Sequence, residues 1–266
     1  MLVYLDGVGL WAPGLAGWSV SREILAGHEP YRKVPFIRPA PTILPPTERR
    51  RSGNTVLLAV QAGQEAIEHA AVNPRDVATV FASSDGDMEV IHDLCTTLSQ
   101  PERMVSPTRF HNSVHNAAAG YWSIAAGSQQ ASTSLSCYDA TFVAGLVESA
   151  AQVAGECRPV LFVAYDWPSP PPLHAKRPLA AAFSIGMLLA PLRSGQSIAV
   201  LNINTVGSCA DHASVMDDAE LEMLRRGNPS ARALPLLAAI ARQKPAVVTL
   251  DYLDGNSVQI AVTPCT

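Results

Sequence analysis

The sequence predicts a layered α/β fold built on one mostly buried mixed sheet, and three observations carry that expectation. Segments with helical spacing of apolar residues alternate with short, near-continuous apolar runs of strand length. At 266 residues with 48% hydrophobic content, the chain can bury one substantial core. Aromatics are only 6% and alanine is abundant, which suits helices packed closely on a sheet.

The elements follow in order. Leu2–Leu10 reads as a strand, and Gly7, Gly9, Pro13, Gly14 and Gly17 break the segment into a loop. Its Gly-x-Gly lacks the third glycine of a dinucleotide fingerprint, and Trp11 and Pro13 stand where a helix should start. The Pro-rich passage Tyr31–Pro46 cannot be helical, because proline has no N–H and clashes with the preceding turn. Its interleaved Phe36, Ile37, Ile43 and Leu44 make it an extended structural wrap rather than a Pro-rich ligand for another domain. Asn54–Val72 is helical, with Val56, Leu57, Val60, Ala66, Ile67 and Ala70 at three- and four-residue spacing, and Asn73-Pro74 ends it. Asp76–Ser83 is a buried strand, Ser84–Asp87 a turn, and Met88–Leu98 a second helix. Ser106–Ala126 contains the third helix, Gly127–Ser136 returns as a strand, Thr141–Ala154 is helical and Val160–Tyr165 is a buried strand.

After the proline-rich loop DWPSPPPLHAKRP, two strands are expected at Ala180–Ala190 and Ile198–Val206, separated by the turn Arg193–Gln196. Helices at Asp217–Arg226 and Ala231–Gln243 precede a terminal hairpin of Val247–Tyr252 and Ser257–Val262 around Asp254-Gly255-Asn256.

Charge and motif content exclude several functions. The net charge is −4, and the one basic run, Glu48–Arg51, reads as a solvated face, so there is no electrostatic footprint for nucleic acid. No stretch approaches the ~20 apolar residues of a membrane span, and the N-terminus does not read as a signal peptide. Five cysteines (Cys95, Cys137, Cys157, Cys209 and Cys265) form no C-x-x-C pair, which argues for reduced thiols and a cytoplasmic location. His111 and His115 are one helical turn apart but lack a third ligand, so no metal site is expected, and no cofactor either. Ser83–Asp87 offers too few oxygens for calcium, and Ser113 lies in no G-x-S-x-G elbow.

The run SPTRFHNSVHNAAAGYWSIAAG (Ser106–Gly127), followed by ASTSLSCYDATFVAGLVESA, resembles the part of a β-ketoacyl synthase that leads to its nucleophile elbow. Asn116 and Gly120 match the family's Asn-x-x-x-Gly signature. Counting forward from Asn116 puts the family's cysteine at Asp139, and counting back from Pro159–Tyr165 puts it at Ala140. Neither residue can attack a thioester. Cys137, two or three positions earlier, is expected to be an inert, buried strand residue.

The resemblance implies a thiolase-like fold, essentially its N-terminal half over about residues 2–206. Residues 207–266 form a short C-terminal extension within a single domain, 1–266. A full synthase's second half carries two histidine motifs; His174 and His212, the histidines after the elbow, are in neither context.

With Trp11-Ala12-Pro13-Gly14 and the acidic turn after FASS, the chain looks most like the short chain length factors of bacterial aryl polyene clusters. That likeness implies no catalytic residue. It also implies pairing with a full-length β-ketoacyl-ACP synthase, as heterodimer or heterotetramer, and transient contact with acyl carrier protein. The strand Ala131–Cys137 and the helix holding Phe110–Tyr121 would form the partner interface. Phe110, His111, Val114, His115, Tyr121, Ser134, Ser136 and Cys137 would lie at the interface or the acyl tunnel. The alternatives are a homodimeric carrier-binding or structural module, and an acyl-transfer or hydrolytic enzyme that uses Cys137.

Overall fold

The computed structural model describes residues 1–206 and 213–265. In chain order its elements begin with β1 (Leu2–Ala12), the two-residue β2 (Leu15–Ala16), α1 (Trp18–Ala26), α2 (Pro46–Arg51) and α3 (Asn54–Ala70). Then come β3 (Ala78–Ala82), α4 (Met88–Leu98), α5 (Pro107–His111), α6 (Ala117–Ala126), β4 (Ser132–Leu135), α7 (Thr141–Glu156) and β5 (Val160–Asp166). The chain continues through β6 (Phe183–Ala190), β7 (Ala199–Val206), α8 (Ala219–Gly227), α9 (Leu234–Ala241), β8 (Ala246–Asp251) and β9 (Ser257–Pro264).

The strands form one mixed sheet in the order β4-β3-β5-β6-β1-β7-β9-β8, with β2 paired to β1. β3 runs parallel to β4 and β5, while the remaining pairs are antiparallel. Residues alternate across β5: Val160, Phe162 and Ala164 join the core beneath α1, α7 and α9. Leu161, Val163 and Tyr165 join the core under α3 and α6. The result is a three-layer α/β/α arrangement, as the alternating apolar runs required.

The glycine pair near the N-terminus serves packing. A Cβ on Gly7 would sit 2.1 Å from the carbonyl oxygen of Ala66, and one on Gly9 equally close to that of Ala62. Only a bare backbone lets α3 lie this close to β1. The Pro-rich arm wraps the surface in extended form. Trp11 Nε1 donates to the Ile37 carbonyl at 2.9 Å, and Gln64 anchors Thr42 and Ile43.

Several elements differ from expectation. α1 went unforeseen because the glycine-rich loop before it masked a nine-residue helix that buries Trp18, Ser21 and Leu25 on one face. α2 buries no residue, so apolar spacing could not reveal it; proline at its start and three terminal arginines are its signals. The expected Ser106–Ala126 helix is two helices, α5 and α6, with Asn112–Asn116 between them. His111 and His115 therefore do not share a helix face. The C-terminal segment adds β8 and β9 to the same sheet through β7. Cys209 and His212 lie outside the described residues.

Candidate functional site

The elbow lies where β4 gives way to α7. Ser136 and Cys137 leave the strand, and a single 3-10 turn, Tyr138–Ala140, leads into the helix. Thr141 clamps the turn: its Oγ1 accepts the Cys137 N–H at 3.0 Å and donates to the Tyr138 carbonyl at 2.6 Å. Tyr138 holds the left-handed conformation, φ 50°, which a non-glycine residue adopts only where its surroundings impose it. Cys137 is therefore a half-exposed residue just before the turn and not a buried strand residue, because β4 ends at Leu135.

Charge fills the turn. Asp139 pairs with Arg177 at 2.7 Å and Arg232 at 3.3 Å, and Arg177 also reaches Asp85 at 3.4 Å. The Arg177 guanidinium stacks 3.7 Å from the centre of the Tyr138 ring. Burial acts to lower the Arg177 pKa, but the hydrogen bond and charge of Asp139, with help from Asp85, carry it above its ordinary value. Ala140 is buried. Arg177 comes from the proline-rich loop and Arg232 from the 3-10 turn before α9, so two distant segments converge on the elbow. No local pattern in the sequence marks either arginine.

Beneath the elbow, Asp166 at the end of β5 ties three segments together. Its Oδ1 accepts from the backbone and hydroxyl of Ser84, both at 2.8 Å, and its Oδ2 from the backbone and hydroxyl of Ser230 at 3.0 and 2.6 Å. Burial raises its pKa, while the hydrogen bonds from Ser230 and Ser84 pull the other way.

An open, mostly apolar groove of about 580 Å³ runs along α5 and α6. Phe110, Val114 and Ile124 stand 68%, 54% and 58% exposed on it. Gly120 opens onto the groove too, with no heavy atom within 4 Å of where its Cβ would be. Tyr121 is buried and donates from its hydroxyl to Asn112 Oδ1 at 3.0 Å, while the His111 ring meets its ring edge to face. His115 bonds the Ser83 carbonyl at 3.0 Å and so fastens the α5–α6 connection to the turn after β3.

β4 is the outermost strand, hydrogen-bonded only to β3 among the described residues, and none of its residues is buried. Ser134 is half-buried on it, and exposed Ser136 donates to the Ser84 carbonyl at 2.8 Å. The turn after β3 thus bonds both the α5–α6 connection, at Ser83, and the residue that follows β4, at Ser84. Among the described residues no cluster of three His, Cys, Asp or Glu side chains could hold a metal ion, and no helix is long and apolar enough to cross a membrane.

The model of the β-ketoacyl synthase N-terminal domain matches residues 26–249. No curated protein matches the chain. Among solved structures, a chain of the complex of ketosynthase ApeO with its chain length factor ApeC from Xenorhabdus doucetiae aligns at TM-score 0.73 and 22% identity. The alignment covers 98% of this chain and 99% of that one. The ishigamide ketosynthase/chain length factor aligns at TM-score 0.73 and 12% identity over the whole of both chains. The AntDE:AntF structure, a type II polyketide acyl-carrier protein in complex with its ketosynthase, aligns at TM-score 0.73 and 12% identity over 99% of each chain. At these identities the likeness shows the fold.

Proposed function

The chain belongs to the β-ketoacyl synthase N-terminal domain family, and on that premise we propose that it is a non-catalytic chain length factor. It pairs with an active, full-length β-ketoacyl-ACP synthase in the cytoplasm and bounds the tunnel in which a polyene or polyketide chain grows. Acyl carrier protein visits the pair transiently.

The observation that carries this reading is the state of the elbow. Condensation needs a thiolate at the turn and donors aimed at the developing oxyanion. Here the turn holds Tyr138, Asp139 and Ala140, and the Asp139 carboxylate is committed to Arg177 and Arg232. Pairing is supported by the open β4 edge and the apolar groove of α5 and α6, an exposed surface of the kind that marks protein contacts. In this arrangement Phe110 and Val114 supply the tunnel wall or the contact. His111, His115 and Tyr121 brace the segment that presents them, and Ser134, Ser136 and Cys137 line the edge beside it.

The test is co-expression with a β-ketoacyl synthase encoded beside it. A stable complex, together with no condensation of acyl and malonyl thioesters by the chain alone, is expected. Turnover by the isolated chain that disappears in Cys137→Ala would instead establish a cysteine enzyme.

A further inference from the structure

The backbone at Tyr138 is more strained than the fold requires. Six non-glycine residues among those described hold a positive φ. Ala71, Cys157 and Gln243 follow the ends of α3, α7 and α9, where the left-handed conformation is routine, and Arg103 and Asp254 lie in exposed loops. Tyr138 alone stands where a strand hands over to a helix, between the end of β4 at Leu135 and the start of α7 at Thr141. Glycine would make this turn without the clash that a Cβ brings. The clamping hydrogen bonds run from Thr141 Oγ1 to the Cys137 N–H and the Tyr138 carbonyl, so they need no side chain at position 138.

The side chain kept there points outward and is held still. Tyr138 is 64% exposed, and its ring belongs to neither side of the core. The guanidinium against the ring is itself fixed from two directions, by Asp139 and by Asp85. One face of the ring is thus backed by a cation while most of the side chain stays open to solvent. An exposed aromatic ordinarily loses its rotamer freedom only when a partner covers it. Here that ordering is done within the chain. Tyrosine is also enriched among the residues that dominate protein contacts, since it combines a broad apolar ring with a polar tip.

Position selects the partner. Tyr138 continues the chain directly from β4, through Ser136 and Cys137, and β4 is the open edge of the sheet. Whatever covers that edge also reaches the ring.

We propose that Tyr138 anchors this chain to the synthase subunit, its ring entering an apolar pocket of the partner with the hydroxyl against a polar group there, an inference that rests on the pairing read above. The role is affinity. It is separate from that of Phe110 and Val114, whose bulk bears on product length.

The experiment uses Tyr138→Gly and Tyr138→Asn, replacements that accept the left-handed conformation most readily, in the full chain. Thermal scans and gel filtration of the isolated variants come first, then calorimetric titration against the synthase, then product length at saturating chain. Expected are monomers that melt within about 3 °C of wild type. Their Kd for the synthase should be weaker by about thirtyfold or more, with product length unchanged. Wild-type affinity in both variants would overturn the anchor and leave the pairing reading standing, whereas no complex with wild type would overturn both. Three other results would also overturn the anchor. Variants that no longer fold would make the ring part of the fold. A changed product length at wild-type affinity would move the ring to the tunnel. A wild-type self-dimer lost in Tyr138→Gly would assign the ring to a second copy of this chain.

Discussion

Gly120 gives the pairing account two consequences of opposite sign. It lies in the interior of α6, where glycine costs about 0.5–1 kcal/mol relative to alanine because more backbone freedom is lost on folding. An added Cβ would have no heavy atom within 4 Å. Gly120→Ala should therefore stabilise the isolated chain by that amount, a rise of about 1–4 °C in Tm for a chain near this size. Gly120→Leu also has open space in the isolated chain and should fold. In the complex that space faces the partner, and overpacking a fitted contact costs about 1–3 kcal/mol, or about 5- to 150-fold in Kd. Thermal scans of the isolated variants and titration of each against the synthase read both effects. A Gly120→Leu chain that folds and pairs as tightly as wild type would refute the placement of this groove at the interface.

Three further outcomes follow from the geometry. Asp166→Ala removes the acceptor for the buried Ser84 N–H and for the Ser84 and Ser230 hydroxyls, at about 1–3 kcal/mol per stranded group, while the Ser230 N–H keeps Asn228 Oδ1. Urea unfolding should show a loss of several kcal/mol, and a loss below about 1 kcal/mol would contradict its role as a tie. Burial holds the Asp87 carboxyl above its usual range, so its stabilising contribution is complete below the unfolded value of about 3.9 and is lost as pH rises through the folded value. Asp87→Asn keeps a good cap on α4 and should flatten that fall in a series of urea midpoints against pH; an unchanged profile would assign the dependence elsewhere. Cys95 and Cys157 are exposed and Cys137 half-exposed, so iodoacetamide should modify the first two faster, and Cys137→Ser should leave the output of the pair unchanged.

Much of the fold was legible because its strands and helices carry the apolar periodicity that burial demands. α4 spans Met88–Leu98 as expected, and β5 and the terminal hairpin lie where their apolar runs do. α2 was illegible because a helix that buries nothing leaves no apolar pattern. The break between α5 and α6 was missed because its cause is tertiary: Asn112 reaches the Arg51 carbonyl and Tyr121, and His115 reaches Ser83, so this connection is held from outside. The left-handed position at Tyr138 is set by the Thr141 clamp and the Arg177 stack, and no apolar pattern in the sequence carries either. Arg177 and Arg232 lie 38 and 93 positions after Asp139, beyond the reach of any local motif.

The central claim is that this chain sets where elongation stops without performing it. Phe110 is the most exposed of the large apolar side chains that line the groove, and its truncation removes a wall while leaving the α5 backbone bonds intact. The decisive measurement is product length by mass spectrometry from the synthase paired with wild type or with Phe110→Ala. A longer product from an equally assembled pair is predicted. An unchanged distribution for substitutions at Phe110, Val114 and Tyr121 alike, with assembly intact, would contradict the tunnel boundary and leave the chain a scaffold.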